Sequence, residues 1–165
     1  MGDISFRKAE EKDLQRLTDI YNAAVRAGCN ADSEEYTKEQ RVPWFLSHDT
    51  ERFPLYVCLE DGEVIGYGSL SEYRFGRKRL SGTAELSYYL DREKTGRGIG
   101  TKLLGFLIEK ARELEFDTLL AMILGSNRAS RRILEKSGFS QWGRIPDAVA
   151  LDDGRTDHVI YGLKL

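Results

Sequence analysis

The 165 residues carry 25 Lys and Arg against 27 Asp and Glu, a formal charge of −2, with a pI near 5.8. At 41% apolar content the chain is long enough for one globular domain, residues 1–165, with a real core. Balanced charge gives no overall drive toward nucleic acid or an anionic membrane, and no apolar run approaches the ~20 residues of a bilayer span.

Met1 to Ser5 has no basic segment followed by an apolar one, so no secretory leader is expected. Ile4 to Arg7 reads as a short first strand. Leu14, Leu17, Ile20, Tyr21, Ala24 and Val25 then recur at helical spacing, with Gly28 closing the helix. Cys29 to Tyr36 is polar and reads as a loop. Thr37 and Gln40 form a capping-box pattern ahead of a second helix around Trp44, Phe45 and Leu46, bent or shortened by Pro43. Leu55–Glu60 and Val64–Leu70 read as strands around an Asp61-Gly62 turn, and Ser81–Leu90 as a further strand. Ile99, Leu103, Phe106, Leu107, Ala111 and Leu114 mark a third helix, and Thr118–Leu124 is the continuous apolar run of a strand buried on both faces. Asn127 caps a fourth helix that ends at Gly138, and Val159, Tyr161, Leu163 and Leu165 alternate as a final strand. Cys29 and Cys58 lack metal-ligand spacing and suit a reduced cytoplasmic chain, with Cys58 in the core. His48 and His158 have no ligand partners at metal spacing, so no metal is expected; His48, Trp44 and Trp142 are expected to pack.

Between the aromatic strand end Tyr88-Tyr89-Leu90 and the third helix lies Thr95-Gly96-Arg97-Gly98-Ile99-Gly100-Thr101. A helix start presents amides with no intrahelical partner and partial positive charge. Glycines on alternate positions let those amides approach a phosphate closely, with Arg97 and Lys102 beside them. A Walker loop does not fit, because Gly100-Thr101-Lys102 has its last two residues reversed. A dinucleotide fingerprint does not fit either, because its third glycine would fall on Thr101 or Leu103.

With Glu85 to Leu90 ahead of this loop, and Asn127 to Ser130 and Glu135 to Phe139 behind it, the chain resembles the GCN5-related N-acetyltransferases. Ile20-Tyr21-Asn22, Trp44-Phe45 with His48, Gly66 to Leu70, Thr83-Ala84-Glu85 and Asp157 place the resemblance in the phosphinothricin acetyltransferase-like branch. It implies an α/β (α+β) fold, a mixed and mostly antiparallel central sheet flanked by helices. It also implies acetyl-CoA as cosubstrate, a small-molecule amine acceptor and a homodimer. The amides from Gly96 to Thr101 would hold the pyrophosphate, with Thr95 where relatives carry Gln or Arg. The backbone of Tyr88, Tyr89 and Leu90 would pair with the pantetheine arm, with side chains that only pack. Asn127 would touch the coenzyme as well as cap its helix. Glu85 stands at the branch's catalytic glutamate position, where a carboxylate could take the amine's proton; a solvated strand-face glutamate is the other reading. Arg74 and Arg77, in the basic run Tyr73 to Arg79, could hold an acceptor carboxylate or phosphinate, with Thr83 nearby; a solvated hairpin is the alternative. Many relatives carry a tyrosine acid where this chain has Leu134. A protein or peptide acceptor, or a coenzyme sensor without turnover, remain alternatives on the same fold.

Overall fold

A computed structural model describes residues 2–48 and 51–165; Met1 lies outside them. The strands are β1 (Ile4–Lys8), β2 (Leu55–Glu60), β3 (Glu63–Glu72), β4 (Thr83–Leu90), β5 (Thr118–Leu124), β6 (Ser140–Leu151) and β7 (Gly154–Lys164). The helices are α1 (Leu14–Arg26), α2 (Lys38–Ser47), α3 (Ile99–Glu113) and α4 (Arg128–Lys136). One seven-stranded sheet has the order β1-β2-β3-β4-β5-β7-β6, antiparallel throughout except between β4 and β5.

Local chemistry accounts for most boundaries. Asp61 (φ 50°) and Gly62 (φ 87°) are both left-handed between the paired residues Glu60 and Glu63, which makes the two-residue turn that matches strand twist. The Thr37 hydroxyl accepts the Gln40 amide and the Gln40 side chain accepts the Thr37 amide, a complete capping box. Pro43 sits inside α2 without ending it. The strand expected from Ser81 begins at Thr83, because Lys78–Leu80 forms a 3-10 turn, while β3 continues past Leu70 to Glu72.

Residues 140–151 carried no expected element and form the twelve-residue strand β6. Nine of the twelve β6 residues are exposed and none is buried, so there is no apolar alternation to read, and two register shifts interrupt its pairing with β7. Trp142, expected to be covered, is 48% exposed and lies over Gly162.

The sheet is covered on both faces. α3 and α4 pack on one side, where Leu103, Leu104, Leu107 and Leu134 meet Ala84, Leu86, Leu119 and Tyr161. α1 and α2 cover the other, where Leu17, Ile20 and Trp44 meet Leu55, Val57 and Tyr67. Gly68 permits the first contact to be close, since a Cβ there would collide with Leu107 Cδ1. On the second face the buried Arg41 guanidinium lies between the rings of Tyr21 (4.1 Å) and Trp44 (3.8 Å).

The ladder between β4 and β5 comprises Thr83–Thr118, Ala84–Leu119 and Glu85–Leu120 and then stops. β4 runs on to Leu90 beside β3, and β5 to Leu124 beside β7. The two strands part, and a wedge opens through the sheet. Among the described residues no helix is long and apolar enough to cross a membrane.

Candidate active site

The wedge holds a cavity of about 700 Å³. Glu85 to Leu90 form one wall and Ala121 to Leu124 the other; Thr95, Asn127 and Ser130 line one end, and Tyr73 and Arg74 approach from the β3–β4 connection. Strand alternation sorts the β4 side chains. Ala84, Leu86, Tyr88 and Leu90 face α3 and α4, so Glu85 and Tyr89 face α1 and α2.

Glu85 is half-buried where the strands separate and has no hydrogen-bond or ion-pair partner among the described residues. Burial raises its carboxyl above the ordinary glutamate value, and the nearby His158 opposes that rise. His158 also lines the cavity from β7, a neighbour that sequence reading missed. It lies far along the chain from Glu85, and only the pairing of β5 with β7 brings it near.

The loop after α1 closes the same side. Cys29, Asn30 and Asp32 line the cavity with Tyr21. Asn22 fastens this loop by donating to Tyr36 O at 2.8 Å and accepting the Tyr36 amide at 2.9 Å, and Tyr21 hydrogen-bonds Asp32. Nothing in the polar stretch Cys29 to Tyr36 marks it as a wall, because its contacts come from α1 and α4.

At the start of α3 the backbone leaves several amides outside the helical ladder. Gly96 and Gly98 each have φ 78°, with nothing within 4 Å of a Cβ at either position. Gly98 caps the helix without a side-chain bond, and the first turn contains no acidic residue. The first intrahelical donor is Lys102, whose amide bonds Gly98 O at 3.2 Å, so the amides of Ile99, Gly100 and Thr101 precede the helical ladder. Arg97 turns away, pairing with Glu60 at 2.5 Å, while Lys94 holds the same carboxylate at 2.9 Å. These partners hold the Glu60 carboxyl near 2, well below the usual range. Thr95 lines the cavity and its hydroxyl donates to Arg92 O at 2.8 Å.

Asn127 has both ends of its amide engaged: Oδ1 accepts the Ser130 amide at 3.1 Å and Nδ2 donates to Cys29 O at 3.3 Å. Arg74 lines the cavity and has no ion-pair partner among the described residues. Arg77, on the exposed connection, and Thr83, paired with Thr118, are not among the lining residues. Leu134 is fully buried in the core. No cluster of His, Cys, Asp and Glu suited to a metal occurs among the described residues.

Comparison with known proteins agrees with this architecture. The family model of the acetyltransferase (GNAT) domain matches residues 3–140. YwnH of Bacillus subtilis (strain 168) is 37% identical over 164 residues, 98% of this chain and 99% of that protein. The L-methionine sulfoximine/L-methionine sulfone acetyltransferase of Salmonella typhimurium is 31% identical over 145 residues, 87% of this chain and 84% of its own length. A crystal structure of a GNAT superfamily phosphinothricin acetyltransferase from Sinorhizobium meliloti, in complex with AcCoA, matches with a TM-score of 0.92 at 27% identity, covering 98% of this chain and 88% of that one. The full-length likeness, the domain match and the wedge-and-glycine-loop architecture together assign the chain to the GNAT family of N-acetyltransferases, to which it belongs.

Proposed function

We propose that this N-acetyltransferase moves the acetyl group of acetyl-CoA to the amine of a small, amino acid-like acceptor, with Glu85 taking the amine's proton. The observation that carries the reading is an unpaired, half-buried carboxyl in the wall of the wedge, raised by burial above the ordinary glutamate range. The relatives named for methionine sulfoximine and phosphinothricin support an acceptor that bears an acidic group beside its amine.

The residues present suit the coenzyme. The free edge of β4 from Leu86 to Leu90 offers backbone groups to the amides of a pantetheine arm, as an added strand would. The uncapped amides of Ile99, Gly100 and Thr101, reached across Gly96 and Gly98, suit its pyrophosphate. Bound there, acetyl-CoA supplies an activated acyl group on a thiol leaving group.

The chain's own task is proton management and orientation. An α-amino group has a pKa around 8 and arrives mostly protonated at neutral pH. Glu85 can accept that proton directly or through one water, because it has no competing hydrogen bond among the described residues and its raised affinity for protons makes it a stronger base than an exposed glutamate. Arg74 presents a guanidinium to the same cavity and can grip a carboxylate or phosphinate with two parallel N–H groups. Arg77 and Thr83 would then contribute from outside the lining, through the shape of the β3–β4 connection and the start of β4. By the same resemblance the chain is proposed to act in the cytoplasm and as a homodimer; its mass in solution decides the second.

The test is release of CoA thiol from acetyl-CoA across amino acids, their sulfoximine and phosphinate analogues, polyamines and peptides, for wild type and Glu85→Gln. Loss of the general base is expected to lower the acceptor-dependent rate by about 10²-fold or more, with coenzyme affinity retained. A wild-type protein that binds acetyl-CoA but acetylates nothing is a sensor, and one that prefers peptides has a macromolecular acceptor. Either result overturns the proposal.

A further inference from the structure

Tyr88 carries a hydroxyl that no partner among the described residues satisfies in full hydrogen-bond geometry. Its Oη is buried and without a hydrogen-bond partner among the described residues, and the residue lines the cavity. Leaving a buried hydroxyl unpaired is costly, and phenylalanine would fill the same space without that cost. Ser130, in the first turn of α4, is near enough for a weak hydrogen-bonding influence that partly offsets the effect of burial on the phenol, but the pair falls outside full hydrogen-bond geometry.

Its position along β4 gives the hydroxyl a use. Glu85 and Tyr88 are three residues apart, about 10 Å along a strand, and alternation puts them on opposite faces of the sheet. Acyl transfer from a thioester makes two demands on opposite sides of the acyl carbon. The incoming nitrogen must lose a proton, and the outgoing sulfur must accept an electron pair. Glu85 answers the first from the face covered by α1 and α2. On the face covered by α3 and α4, Leu134 offers no donor, while Asn127 uses its Oδ1 for the Ser130 amide and one Nδ2 hydrogen for Cys29 O.

We propose that Tyr88 Oη donates a hydrogen bond to the thioester sulfur of the coenzyme and stabilises the negative charge that sulfur gains as the acetyl group leaves. The inference rests on the acetyl-CoA reading above and adds a catalytic residue to it. With the ammonium's first proton already passed through Glu85 to solvent, the new N–C bond forms, the C–S bond breaks with its pair on sulfur, and Glu85 takes the second proton, which the acylated nitrogen sheds. The thiolate departs hydrogen-bonded to Tyr88 and takes a proton from solvent on release, while Glu85 returns its own. Burial pushes the Tyr88 phenol further above the thiol range, near 8.5 for an ordinary thiol, so the phenolic proton stays on oxygen. Tyr88 is thus a donor to the sulfur and not its proton source.

Binding of CoA and of desulfo-CoA, which lacks the thiol, at pH 8.5 tests this without turnover. Wild type is expected to bind CoA roughly ten- to a hundredfold more tightly than desulfo-CoA, and Tyr88→Phe to erase that ratio by weakening CoA alone. The rate constant kcat of the variant should fall by a similar factor, with its melting temperature at least that of wild type because the orphaned hydroxyl is gone. Ser130→Ala should keep the ratio. An unchanged ratio in Tyr88→Phe overturns the proposal, as does equal weakening of both ligands, which would make Tyr88 an anchor of the arm. Loss of the ratio in Ser130→Ala alone would assign the donor to Ser130. A wild type that binds neither ligand fails the acetyl-CoA reading itself, a result distinct from all of these.

Discussion

Glu85 is where burial and chemistry conflict. Its folded carboxyl is raised above the ordinary 4.5, chiefly by burial. Such a group favours the folded state fully below 4.5, and that contribution disappears as pH rises through the raised folded value. At neutral pH the buried negative charge is therefore a cost that the protein carries for function. Two results are expected. The acid limb of kcat/KM falls above pH 4.5, and Glu85→Gln melts at the same or a higher temperature than wild type at pH 7, with no such advantage below pH 4.5. Melting curves across that range check the second; a variant less stable at pH 7 would mean that Glu85 is held by favourable contacts and is not a strained base. Glu60 has the opposite sign. Held near 2 by Arg97 and Lys94, it stabilises the fold above 4.5, and this support is lost as pH falls toward 2. One carboxylate anchors the glycine loop, while the other is left without a partner at the wedge.

Among the elements, α3 has one kind of glycine at its N-cap and another inside it. Gly98 is at φ 78° with open space around it, and Gly105 is inside the helix with nothing within 4 Å of a Cβ. Gly98→Ala meets no neighbour but forces an L-residue into the left-handed region, a cost of about 1–2 kcal/mol, or a melting temperature lower by roughly 2–8 °C. That strain also disturbs the backbone that sets the uncapped amides and should raise KM for acetyl-CoA. Gly105→Ala should instead stabilise by about 0.5–1 kcal/mol with no change in KM. Equal effects at the two positions would show that the loop's conformation matters neither to folding nor to binding. These elements were legible in sequence because their signals are local: a capping box at Thr37, a paired turn at Asp61-Gly62, helical spacing from Ile99. β6 was not, since an exposed edge strand needs no apolar rhythm. The cavity shows the same division. Glu85, the Tyr88 to Leu90 run, Thr95 and Asn127 came from one motif region, whereas His158, Tyr21 and Asp32 are brought in by strand order and by the fastening of a polar loop to α1.

For the whole molecule, the wedge leaves one sheet in two parts. β1 to β4 form one and β5, β7 and β6 the other, and between them the ladder has only the pairs from Thr83–Thr118 to Glu85–Leu120. Below the wedge the seam is reinforced: the amides of Asp117 and Thr118 both donate to Gly82 O, and Arg52 donates to Leu114 O and Ser81 O. Above it, α3 and α4 bridge the two parts, through contacts such as Gly100 against Ile133 and Leu90, and Asn127 ties the start of α4 to Cys29 O in the loop after α1. A ligand lying in the wedge would supply the missing pairing along β4 and join the parts through its whole length. At a thousandfold excess over Kd it adds about 4 kcal/mol, which for a chain of this size is roughly 8–16 °C in melting temperature. The protection should be local in origin. Amide hydrogen exchange from Leu86 to Leu90 and in the first turn of α3 is expected to slow beyond the rest of the sheet when acetyl-CoA is added, while β1, β2 and the β6–β7 hairpin follow only the global change. Slowing spread evenly over all strands would mean that the coenzyme does not use the free edge of β4, and that the wedge is a structural opening without that role.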